Sequence, residues 1–462
     1  MEAIPARPRL ADHALARLRR DASREHAVLI DQVSGAVWQL GLREWVILSM
    51  ADGTRDLDGI LLAAAREGAV TAPDALGGFL QSLADAGLLE DGPAATDDEA
   101  SPAAADRALD PLPGYRFACD GRGICCHQYG TVVFSRLEAD RARVLLPLVE
   151  RGGERLERVF TPRNGSTPGA GWAVKHVDGA CAYLAGDGRC AIHAAGGGDA
   201  KPFGCSLFPA RFVDDGEAVR VTALVECACV VRSATGELAG GDPLVPAGIT
   251  TRAGLSEQVH VTVLGDTVAL SARATASRSA YVAWSRSARD AAPADVVAWL
   301  WWVADRIAAD GALPSPAGEP ELDPAEMVPW VESFARLLDD AAARARAWRA
   351  EGDLVRGGIE VLREVTAALA SDPSLVEVTL SAGAAHPLAE GFYLRAMAHG
   401  HTWLAEGPLD EQLRAVALRV LVARAIARLI DAAVLRSPAF VEPLATVEAL
   451  CRGWGLQAPP PG

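Results

Sequence analysis

The chain has 462 residues, half of them apolar, with 60 acidic against 44 basic side chains and a formal charge of −16. That length supports two or three domains with real cores, and the acidic balance argues against nucleic acid as a partner. No cationic start with an apolar run marks a signal peptide, and no uncharged run of about 18 apolar residues suits a bilayer, so the expectation is a cytoplasmic protein with no membrane partner.

In chain order, the first unit is expected over residues 1–92. His26–Asp31 and Gly35–Leu40 read as two short strands around a polar turn at residues 32–34. Helices are predicted over Arg43–Met50, Leu57–Arg66 and Pro73–Gly87, with Asp52-Gly-Thr54 as stop and cap. This order, with the Asp-Gly-Thr and a closing Gly87-Leu-Leu89, resembles the PqqD-like fold. That resemblance implies a small winged-helix module that holds a peptide against a strand edge. A DNA-binding winged helix is disfavoured, because residues 26–91 carry ten acids against three arginines, a net of −7. Strand addition of a peptide tolerates such charge.

Residues 93–112, rich in Ala, Pro and Asp, read as a linker. A cysteine-rich segment follows over 113–240, and a mainly helical region over 241–462. Within the latter, Val259–Leu264 and Thr267–Leu270 alternate around Gly265-Asp266 and suggest a hairpin. Helices are predicted near 295–309, 325–350, 354–371, 389–404, 410–434 and 438–453, with Trp299–Trp302 in a buried face. His399 and His401, two apart on one helix, make a poor metal pair. The expected class is multidomain α+β: a winged-helix-like domain, an irregular cysteine-rich metal domain with short hairpins, and a mostly α-helical C-terminal region.

Eight of the nine cysteines fall between Cys119 and Cys229: Cys119, Cys125, Cys126, Cys181, Cys190, Cys205, Cys227 and Cys229. In a reducing compartment such a cluster points to metal or redox chemistry rather than disulfides. Soft thiolates select zinc, copper(I) or iron–sulfur clusters. The spacings lack paired zinc knuckles and ferredoxin runs, so they leave the element open. Between 113 and 240, 15 basic residues face 14 acidic ones, a local neutrality that suits thiolates adding negative charge.

Cys119-x5-Cys125-Cys126, Cys181-Ala-Tyr-Leu184, Cys190-Ala-Ile-His193 and Lys201-Pro-Phe-Gly-Cys205-Ser-Leu-Phe-Pro209 together resemble the YkgJ-type cysteine-cluster family of zinc- or iron-chelating domains. The same pattern is similar to the flagellin lysine-N-methylase family, which is associated with a 4Fe-4S cluster and S-adenosylmethionine. The resemblance makes Cys119, Cys125, Cys126, Cys181, Cys190 and Cys205 ligand candidates. Cys227 and Cys229 add two more, whose alternative is a half-buried strand. His127 and His193 neighbour these candidates, while Lys201, Arg122 and Arg211 are placed to balance thiolate charge. Cys451 reads as a buried apolar residue. Two departures stand out: Pro209-Ala-Arg211 where the methylase pattern has Pro-Arg, and Cys227-Ala-Cys229 where Cys-Pro is typical. No Gly-rich strand-to-helix turn suits adenosylmethionine.

The functional expectation is a metal-binding protein, iron–sulfur in preference to zinc, that acts on or modifies a peptide or protein, in the manner of a lysine N-methylase. The alternatives are a non-catalytic metal-binding adaptor and a metal storage or trafficking protein. No nucleophilic triad supports serine or cysteine catalysis.

Overall fold

A computed structural model describes residues 4–456 except 12–13, 22–23, 32–36, 54, 67–68, 93–105, 122, 124–125, 128–132, 152–153, 157–158, 163–171, 178–179, 246–247, 256–258, 260, 319–321, 348–352, 405–406, 436–439, 441 and 454–455. The architecture is mixed α+β, with several small sheets and a mostly helical C-terminal region. No helix among the described residues is long and apolar enough to cross a membrane.

The N-terminal unit comprises β1 (Pro8–Leu10), β2 (Ala14–Asp21), β3 (Arg24–Asp31), β4 (Val37–Leu40), α1 (Leu42–Met50), α2 (Leu57–Arg66), α3 (Pro73–Asp85) and β5 (Leu89–Asp91). α3 starts on Pro73, which supplies a helical φ where no amide bond is needed. It buries Leu76, Leu80, Leu83 and Ala84 at helical spacing. These meet Leu29, Ile47, Leu48 and Ile60 in a core of their own. The predicted strand at His26–Asp31 lies within β3, and the turn at residues 32–34 lies outside the described residues. β2 was not foreseen, and it pairs with β3 along eight residues.

The end of the expected linker forms a strand, β6 (Leu109–Pro111), and the cysteine segment supplies β7 (Val133–Phe134), α4 (Arg136–Leu145), β8 (Glu150–Arg151), β9 (Glu154–Arg155), β10 (Phe160–Pro162), β11 (Trp172–Val174), β12 (His176–Val177) and β13 (Ala180–Cys181). It continues through α5 (Ala191–Gly196), α6 (Phe203–Leu207), β14 (Ala210–Asp214), β15 (Val219–Ala223) and α7 (Ala228–Ala234). Two features tie this segment to its surroundings. β12 pairs parallel with β2, so a five-stranded sheet runs β13-β12-β2-β3-β4 across both regions. β14 and β15 form a hairpin around Asp214-Asp-Gly216 and lie in the middle of a four-stranded sheet, with β6 beside β15.

The C-terminal region holds β16 (Val261–Val263), β17 (Thr267–Ser271), β18 (Ala274–Ser277), α8 (Arg278–Asp290), α9 (Val296–Asp310), α10 (Pro324–Ala347), α11 (Asp353–Ser371), α12 (Pro373–Ser381), α13 (Pro387–His399), α14 (Leu409–Asp431) and α15 (Pro443–Gly453). The hairpin expected around Gly265-Asp266 does not form: β16 joins β14 in parallel, and β17 pairs with β18. In that pairing Val261 lies opposite the buried Phe212. One apolar core runs from Leu112 through the β14–β15 hairpin and α7 to Leu456, so the end of the cysteine segment shares its interior with the helices. Trp299 and Trp301 are buried there, each contributing roughly 1.5–3 kcal/mol of apolar transfer energy.

Candidate metal centre

The segment from Phe117 to Asp120 is held by backbone bonds before any thiol is considered. Phe117 and Asp242 exchange amide–carbonyl bonds of 2.8 and 2.9 Å. The Ala118 amide donates to Ser233 Oγ at 3.0 Å, and the Ser233 hydroxyl donates back to the Ala118 carbonyl at 3.2 Å. Gly241 permits this approach, because a Cβ there would lie 2.6 Å from the Phe117 carbonyl carbon. A turn through Gly121, at φ +72°, then brings its amide to within 3.4 Å of Cys119 Sγ.

On the other side, the loop after β15 closes with Leu224 N–H on the Pro209 carbonyl at 2.8 Å and Cys227 N–H on the Leu224 carbonyl at 3.2 Å. Cys227 is the residue before α7 and Cys229 lies in its first turn. Both are buried. The strand placement considered for them is therefore replaced by a helix start.

These two pieces bring Cys119 and Cys229 together across 110 positions of sequence. Their sulfur atoms and a carboxylate oxygen of Asp120 all lie within 4.8 Å of one another. Cys229 Sγ donates to Asp120 Oδ1 at 3.3 Å, while Arg232 Nη1 donates to Asp120 Oδ2 at 2.6 Å. Arg232, one turn along α7, thus holds the carboxylate with one oxygen toward the sulfurs. Its Nε also binds Glu237 at 3.2 Å.

The thiols press on one another. The hydrogen bond to Cys229, and then partial burial, push the Cys119 thiol far above its usual range, against the Gly121 amide and the Lys201 charge. Cys229 is pushed up to about 12: its hydrogen bond with Cys119 works to lower it, but the hydrogen bond with Cys227 and burial outweigh that. Tyr115 is raised by burial and then by the neighbouring Cys227 and Cys229. The Cys119 and Cys229 thiols keep their protons until a cation replaces them. Two thiolates and a carboxylate are a donor set suited to zinc or iron.

The remaining candidates are placed differently. Cys181 ends β13, opposite His176 of β12, and is buried. Cys190 bridges Leu184 and precedes α5. Both raise the Tyr183 hydroxyl, after burial, which is the larger cause. Cys126 and Cys190 are half-buried against a small core of Phe134, Phe160 and Tyr183. Cys205 lies in α6, whose start is tied to α4 by Phe203 N–H on Glu138 Oε1 at 2.6 Å. His127 is half-buried and His193 exposed. Cys125 and Arg122 lie outside the described residues. None of the described cysteines forms a disulfide.

His399 and His401 are not brought together. His399 Nε2 lies 2.8 Å from the Asp110 carbonyl, and His401 Nε2 lies 3.5 Å from Asp215 Oδ2. Cys451 is buried, as expected, beside Arg419 and Glu448. Sequence reasoning missed Asp120 and Arg232. The one available signal was the Cys119-Asp-Gly121 run, whose Asp-Gly pair marks a turn that folds a carboxylate back beside the preceding thiol. No protein-family model, no curated protein and no solved structure matches this chain.

Proposed function

We propose that this protein binds a metal ion between Cys119, Asp120 and Cys229 and uses it in acting on a peptide or protein. The observation that carries the metal reading is the mutual approach, within 4.8 Å, of two thiols and a carboxylate drawn from distant parts of the chain. Such separations suit ligands of one ion, since a Zn–S bond is about 2.3 Å. An iron–sulfur cluster is the second reading. It is favoured by Cys227, whose thiol bonds that of Cys229 and adds a third sulfur at the same place, and by the YkgJ-type and methylase-like motifs. A 4Fe-4S cluster takes four cysteine thiolates.

The peptide part of the proposal is supported by the PqqD-like order of elements and by the sheet they form. β12 already covers the β2 edge, and β4 is the other end of that sheet. A peptide strand added to β4 gains backbone hydrogen bonds while alternate side chains point to either face. In the methylase version, S-adenosylmethionine supplies the methyl group and the metal organises the site.

Anaerobic purification with metal and sulfide analysis tests the metal reading. One zinc or iron per chain without sulfide supports the single ion. A band near ~400 nm with equimolar iron and sulfide selects the cluster, and a metal-free protein that stays metal-free on reconstitution contradicts both. Labelled-methyl transfer from adenosylmethionine to lysate proteins separates the methylase from an adaptor, and a metal-loaded protein that transfers nothing removes the methylase version.

A further inference from the structure

We infer that a cleft one helical turn from the thiols binds a small molecule carrying a carboxylate on a flat apolar body. The cleft encloses about 260 Å3 between the segment at Leu112–Arg116, the end of α7 and the face of α13. One wall is aromatic: the Tyr115 and Phe392 rings lie 4.9 Å apart, centroid to centroid, tilted by 33°. Leu112 and Leu238 extend the apolar lining.

The neutral polar groups of the cleft are already engaged. The Tyr115 hydroxyl donates to the Val230 carbonyl at 3.2 Å, and Ser233 is tied to Ala118 on both sides of its hydroxyl. Two guanidinium groups are left over. Arg116 donates from Nε to the Gly241 carbonyl at 2.6 Å, which fixes the side chain, and its terminal nitrogens have no partner among the described residues. Arg395 makes no hydrogen bond or ion pair among the described residues. Five other arginines of the fold, Arg220, Arg232, Arg419, Arg424 and Arg452, are paired with carboxylates. Arg116 and Arg395 are exposed, so in a chain of net charge −16 they offer an incoming anion two guanidiniums at one cleft, and a planar fork matches a carboxylate in both geometry and charge. The volume lies just below the usual range of ligand clefts, about 300–1,000 Å3, so a single ring or short chain fits and a dinucleotide does not.

The cleft shares its walls with the thiol group. Five residues lead from Tyr115 to Asp120, and α7 carries Cys229 at one end and Ser233 at the other, about 6 Å apart along the axis. A ligand here sits beside the metal centre, but its binding needs no metal, so the proposal stands apart from the metal reading.

Equilibrium dialysis of radiolabelled phenylacetate against full-length, chelator-treated protein tests it, with phenylacetamide and inorganic phosphate as competitors. Saturable binding at one site is expected. Phenylacetamide should compete at least about tenfold less well, the worth of one charge-assisted bond. Arg395→Gln and Arg116→Gln, both surface changes, should each weaken binding at least about fivefold, and Ala234→Phe should fill the cleft and abolish it. Equal competition by the amide, or unchanged affinity in both arginine variants, overturns the proposal. Phosphate outcompeting phenylacetate overturns the carboxylate assignment in favour of a phosphorylated ligand. Cys229→Ser should leave phenylacetate binding within about threefold while weakening metal binding, so a failed metal reading and a failed cleft give different results.

Discussion

Asp120 faces two ways, and both of its oxygens are used. Arg232 holds one, which leaves the other as a hydrogen-bond acceptor for Cys229 in the metal-free protein and as a ligand when an ion displaces the thiol protons. Because both Cys119 and Cys229 are raised, both are protonated at neutral pH. Zinc binding should then release about two protons and tighten up to about hundredfold per pH unit between pH 6 and 8. Calorimetry in buffers of different ionisation heat measures this, and binding without proton release contradicts it. Asp120→Asn should weaken zinc about 10–100-fold, read by competition with a chromophoric chelator. A cysteine ligand is easy to suspect from composition, whereas a carboxylate ligand carries no spacing rule of its own. Hence Cys119 was legible in the sequence and its neighbour Asp120 was not.

Another residue gives a test of stability against pH. Burial raises Glu442 to about 7, helped by Glu237 and opposed by His386 and Arg232. An acid that holds its proton more tightly when folded makes stability fall as pH rises from about 4.5 to 7, with the full cost present above that. Glu442→Gln should therefore stabilise the fold by roughly 1–3 kcal/mol at pH 8 and by nothing at pH 4. Urea melts at the two pH values measure the difference, and an equal gain at both contradicts the burial argument.

Among the elements, the helices were the most readable. Their apolar periodicity reaches far enough to mark α9, α10, α11 and α14 to within a few residues. β2 was missed because Arg17, Arg19 and Arg20 break any alternation in Ala14–Asp21, and only pairing with β3 makes that segment a strand. The supposed hairpin at Gly265 failed for a related reason, since strand partners are chosen by tertiary packing rather than by a nearby turn. Two element contacts invite mutation. Arg424 of α14 forks onto Glu390 of α13, with nitrogen–oxygen bonds of 2.9 and 2.6 Å, and reaches Asp295 at 2.8 Å. Arg424→Met strands the buried Glu390 carboxylate and should cost about 3–5 kcal/mol, visible as a lower urea midpoint. Gly241→Ala drives a methyl into the Phe117 backbone. It should cost about 1–3 kcal/mol and weaken metal binding together with stability, because Phe117 anchors the segment that carries Cys119.

At the scale of the whole molecule, the described cysteines do not all meet at one group. The 111-residue stretch that looks like one cluster in the sequence divides in space. Cys227 and Cys229 join the large core of the helical region, with the exposed Cys119 beside Cys229, and Cys126, Cys181 and Cys190 lie at the small core around Tyr183. That division follows from β12, which leaves the cysteine segment to pair with β2 about 157 positions earlier. No local pattern encodes such a pairing. Removal of residues 1–92 exposes the β12 edge, so amide exchange at 176–177 should speed while zinc affinity at Cys119 and Cys229 stays within about threefold. Slowed or unchanged exchange there contradicts the shared sheet.

The central claim is that Cys119, Asp120 and Cys229 hold the metal. Metal content per chain in purified Cys229→Ser, Cys181→Ser and Cys451→Ser tests it most directly. The account predicts loss of the ion in Cys229→Ser and its retention in both others. An ion retained in Cys229→Ser and lost in Cys181→Ser contradicts it and moves the site to the Tyr183 core.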